Sequence, residues 1–84
     1  MNAKAKKYEE MYRKYSATVG KVARESTLEE IVAKGKEVAS KVDSLRGQYL
    51  QWDERAYWGM MSTLNNELKA LRCAWYAKRY GWVR

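Results

Sequence analysis

Histidine, proline and phenylalanine are absent from this 84-residue chain, and cysteine occurs once, at Cys73. Without histidine there is no imidazole for a catalytic triad, a zinc site or a protonation switch near neutral pH. A single cysteine cannot form an intrachain disulfide, and it suits a reducing compartment. The lack of proline leaves every helical pattern free of its strongest interruption. No stretch approaches the roughly 18 consecutive apolar residues of a membrane span, so none is expected. Lys4, Lys6 and Lys7 charge the N-terminus, but no apolar signal-peptide stretch follows them, and cytoplasmic residence is the expectation.

What remains is apolar, aromatic and basic. Hydrophobic residues make up 46% of the chain, more than a disordered segment carries. The length favours a single helical domain over residues 1–84. Seventeen Lys and Arg against ten Asp and Glu give a net charge of +7. That excess attracts acidic surfaces without distinguishing a protein from a nucleic acid or an anionic lipid.

Periodicity divides the chain into three. Tyr8, Tyr12, Tyr15, Val19 and Val22 alternate four- and three-residue steps, which predicts one amphipathic helix over about 3–24. Two overlapping capping boxes follow, Ser26 with Glu29 and Thr27 with Glu30. They open a second helix, about 28–46, on the seam Leu28, Ile31, Gly35, Val38, Val42 and Leu45. Gly35 leaves room on that seam for a neighbouring ring. Gly47 is expected in a left-handed terminating position, with Asp53 capping the next helix and Trp52 stapled to Tyr57. A third helix, about 54–80, turns Tyr57, Met61, Leu64, Leu68, Leu71 and Trp75 inward and ends at Gly81.

These stripes predict an all-α, up-down-up three-helix bundle. The competing arrangement is a long helical hairpin whose first helix is an arm or swaps into the second subunit of a dimer; a separate rival reading runs residues 28–80 as one continuous helix. In the bundle, the N-terminal lysines lie at the end opposite the C-terminus.

No constellation specifies an enzyme. The adjacent acidic pairs Glu9–Glu10, Glu29–Glu30 and Asp53–Glu54 splay by about 100° on a helix and serve as solvated charges. No glycine-rich phosphate loop is present, and Cys73 has no nearby base to activate it. The expectation is a non-catalytic protein without cofactor, metal or small-molecule substrate.

The informative stretch is 69–84, with five basic residues, no acidic residue and four large aromatics. Cys73, Tyr76, Ala77 and Tyr80 recur at helical spacing on a second apolar face. In a three-helix bundle that face points outward, as binding surfaces do. The expected partner-binding residues are therefore Arg72, Tyr76, Lys78, Arg79, Tyr80, Trp82 and Arg84. The expected function is a small adaptor or inhibitor that binds a macromolecular protein partner. Two alternatives use the same patch: an accessory protein that binds DNA or RNA, and a structural protein that associates with itself.

Overall fold

The computed structural model describes residues 3–83, so Arg84 of the expected partner surface lies outside the described residues. Four α-helices occupy them: α1 (Ala3–Lys14), α2 (Ser16–Glu25), α3 (Leu28–Gly47) and α4 (Glu54–Arg79). A 3-10 turn, Tyr49–Gln51, separates α3 from α4, so these two are not one continuous rod.

The three-helix bundle is thereby overturned, and so is the alternative with a first-helix arm. The expected first helix breaks at Tyr15, whose φ of −119° and ψ of 30° leave the helical region. Hydrogen bonding nevertheless bridges the break. The Tyr15 N–H donates to Met11 O, and the Val19 N–H to Tyr15 O, both at 3.0 Å. The kink therefore changes the direction of the chain without shifting its helical phase. Tyr15, expected on the buried stripe, is 53% exposed at the break.

All the other helices pack on α4, while α3 hardly touches α1 or α2. The reason lies in the two halves of this 26-residue helix. Toward α3 it buries Tyr57, Met61, Leu64 and Leu71 along its length, opposite Ile31, Val38, Val42 and Leu45. Only its C-terminal half carries a second apolar face, where Cys73, Ala74 and Ala77 are fully buried. These small side chains let α1 and α2 approach closely. Further back the corresponding positions are Arg55, Gly59, Ser62, Thr63 and Asn66, all exposed. A polar face offers no third helix an apolar surface to cover. The α3–α4 hairpin accordingly continues as two helices alone.

Local signals set the boundaries. Thr27 caps α3 in a reciprocal box: its Oγ1 accepts from the Glu30 N–H at 3.1 Å, and its own N–H donates to Glu30 Oε1 at 2.9 Å. Of the two overlapping boxes this is the one formed. Asp53 Oδ2 accepts from the Ala56 N–H at 3.1 Å and starts α4. Gly81 adopts φ +73°, and the Trp82 N–H donates back to Ala77 O at 2.8 Å. This is the left-handed glycine ending that a side chain would strain.

Two local expectations need correction. Among the described residues Gly81 alone has a positive φ, so Gly47 does not terminate α3 in the left-handed region. The chain instead tightens there, with the Gln48 N–H donating to Leu45 O at 3.0 Å. Gly35 admits no ring, since nothing lies within 4 Å of where its Cβ would stand.

Candidate aromatic and basic interface

The second apolar face of α4 does not point outward. The kink at Tyr15 lays α1 across it, and the Cys73 thiol donates to the Tyr8 carbonyl at 3.4 Å. The Tyr8 ring stacks on Tyr76, with centroids 4.9 Å apart and planes 11° from parallel. Tyr76 stacks in turn with Tyr80 at 5.8 Å and 12°, and Tyr80 with Trp82 at 5.9 Å and 21°. Tyr12 closes the series against Trp82 at 6.0 Å. Four near-parallel rings thus form a ladder from the interior outward. Separations near 6 Å with small tilts belong to offset stacking, the favoured arrangement of aromatic quadrupoles.

The sequence-predicted site residues fare differently within this arrangement. Tyr76 and Trp82 are half-buried in the ladder, whereas Tyr80 is 48% exposed. Arg72 and Arg79 are exposed and meet no carboxylate within ion-pair distance among the described residues. Lys78 is committed internally: its Nζ donates to the Ala23 carbonyl at 3.0 Å, on the last turn of α2. The placement of the N-terminal charge also changes. Lys4, Lys6 and Lys7 are exposed on the helix that packs against the C-terminal half of α4. The helix that carries them therefore lies against the C-terminal half of α4.

Electrostatics at the site are modest. Glu30 is held below the usual 4.5, first by hydrogen bonding to Thr27 and more weakly by the Lys78 ammonium. Burial pushes the Cys73 thiol up to about 11, so it stays protonated at neutral pH. A protonated, enclosed thiol is a poor nucleophile.

Sequence reasoning missed Tyr8 as a member of the ladder and Tyr12 as the ring that closes it, because it placed the start of the first helix at the opposite end. It also passed over the hairpin tip. There Leu50 is 94% exposed and Trp58 54% exposed, beside the edge-on pair Tyr49–Tyr57. The available signal was the run Tyr49-Leu50-Gln51-Trp52, which crowds apolar residues into a turn.

The chain is a small all-α fold with a C-terminal aromatic cluster, and among the described residues no helix is long and apolar enough to cross a membrane. Comparison with family models, curated proteins and solved structures returned no match in any of the three.

Proposed function

We propose that the protein is a non-catalytic binding module, a small cytoplasmic adaptor or inhibitor that engages an acidic protein partner where α1 meets the C-terminal half of α4. The supporting observation is Tyr80, which lies within a preorganised ring stack and is still half exposed beside Arg79. Aromatic rings held rigid before binding lose little entropy on contact, and Tyr and Arg are enriched among residues that dominate interface energies. Arg79 supplies complementary charge, whereas Arg72 borders a separate cleft between α3 and α4. A second copy is a poorer occupant, because a two-fold contact would set identical basic residues against each other.

Capture of partners from the native cell tests this reading, with wild type, Tyr80→Ala and Arg79→Glu compared side by side. A partner enriched by the wild type and lost with both variants supports it. Equal capture by all three overturns it. A second reading rests on the near-parallel planes of the ladder, onto which unpaired bases could stack beside Arg79. It requires affinity for single-stranded DNA or RNA that falls steeply with salt. No binding at about 50 mM salt removes it.

A further inference from the structure

Between them α3 and α4 enclose an open cleft of about 330 Å³, whose Trp75 ring meets the ladder's Tyr76 edge-on at 5.2 Å. Val32, Gly35 and Ala39 line one wall and Leu68 and Trp75 the other, with Lys36 and Arg72 also bordering it. Val32 is 42% exposed, although its position borders the buried seam of α3. At Gly35 the wall is missing a side chain altogether, with open space where a Cβ would stand. Lys36 and Arg72 are exposed, and among the described residues neither reaches a carboxylate within ion-pair distance. The cleft is thus apolar within and positively charged at its edge.

We infer that this cleft receives an amphipathic helix from a protein partner, one whose apolar ridge is flanked by acidic residues. Val32 to Ala39 and Leu68 to Trp75 each span seven residues, about two helical turns or roughly 10 Å. Two turns of an incoming helix present anchors at i, i+3, i+4 and i+7, which match a groove of that length. Gly35 and Ala39 allow its backbone to approach closely, as ridge-into-groove packing requires. Lys36 and Arg72 select the sign of the flanking charges: acidic residues pair with them and basic ones are repelled. This inference rests on the binding-module reading, but it concerns a surface distinct from the exposed ring of Tyr80.

The test uses the whole chain and a designed probe. The probe is a fluorescent peptide of about 16 residues with leucines at helical spacing and glutamates on both flanks; its twin carries lysines instead. Anisotropy should show binding of the acidic peptide in the range of about 10–100 μM, with the basic twin at least about tenfold weaker. Gly35→Leu fills the cleft from an open position and replaces a poor helix former with a good one. It should keep the helical circular dichroism, melt no lower than wild type, and weaken the acidic peptide about tenfold or more. The double change Lys36→Glu and Arg72→Glu should reverse the preference between peptides, and Tyr80→Ala should leave it intact. Absence of acidic-peptide binding up to about 1 mM, or equal binding by a folded Gly35→Leu variant, overturns the inference. Tyr80-dependent capture in cells would survive that result, so the two failures are separable.

Discussion

The Lys78 ammonium donates to the Ala23 carbonyl oxygen at 3.0 Å, joining the last turns of α4 and α2 across 55 residues of sequence. The neighbouring Val22 carbonyl already accepts from the Ser26 N–H. Lys78 therefore satisfies one of the carbonyls left open at a helix end and places positive charge where the helix dipole favours it. Replacing it with methionine keeps the stem and removes the bond. Lys78→Met should cost about 1–2 kcal/mol, lowering the melting temperature by roughly 4–8 °C per kcal/mol in a domain of this size. An unchanged melting curve would show Lys78 to be only a surface charge.

Two glycines should respond in opposite directions to alanine. At Gly81 the φ of +73° strains any side chain, so Gly81→Ala should destabilise by about 1 kcal/mol. The same change should weaken the near-ultraviolet signal of the Trp82–Tyr80 stack. At Gly20, within α2, a new Cβ would meet the end of the Arg24 side chain at 3.1 Å, and that flexible end can move aside. Gly20→Ala should therefore stabilise by about 0.5–1 kcal/mol through helix propensity. Thermal melts of both variants read the two signs directly.

Cys73 should be nearly inert in the folded protein. At pH 8, a thiol titrating near 11 holds about a hundredfold less thiolate than one at its ordinary 9.0. Iodoacetamide should modify the urea-unfolded chain at least about a hundredfold faster than the native one. Because burial raises this pKa, the associated stability is complete below 9.0 and declines as pH rises toward about 11. The stability difference between wild type and Cys73→Ala should shift across that interval and stay constant below it.

The opposite sign applies at the start of α3. Glu30 is held below 4.5 by its bonds to Thr27, so its contribution is present above 4.5 and disappears as pH falls through the lowered value. Glu30→Gln should remove this dependence. Its melting temperature should lie below that of wild type at pH 7, and the gap should narrow on acidification. Thr27→Ala, which breaks the same box, should cost about 1 kcal/mol at neutral pH.

The elements legible in the sequence are those fixed by neighbouring residues. The Thr27–Glu30 box, the Asp53 cap, the Gly81 ending and the inward stripe of Tyr57, Met61, Leu64 and Leu71 all follow from local spacing. The kink at Tyr15 was not legible, because the hydrogen bonds on either side preserve the helical phase and the apolar rhythm runs through it. Everything that depends on the kink was hidden with it. Tyr76 read as outward-facing because nothing local shows that Tyr8 returns to cover it. The gap at Gly35 was legible as a missing side chain on the stripe, but that no ring fills it shows only once the neighbouring helices are in position.

The arrangement of helices around α4 also sets an order of assembly. The α3–α4 hairpin closes across a short turn, whereas Tyr8 reaches Cys73 over 65 residues. Loop-closure entropy favours the near contact first, so the hairpin should form before α1 and α2 dock. Tyr8→Ala should therefore speed unfolding and leave the folding rate nearly unchanged, while Val42→Ala should slow folding; the reverse pattern would place α1 in the nucleus. In this sequence of events the Tyr8 rung that joins α1 to the ring ladder is the last part completed and the first part released. A partner that grips it would act as a clasp on the finished chain, holding shut the one seam that opens before the rest.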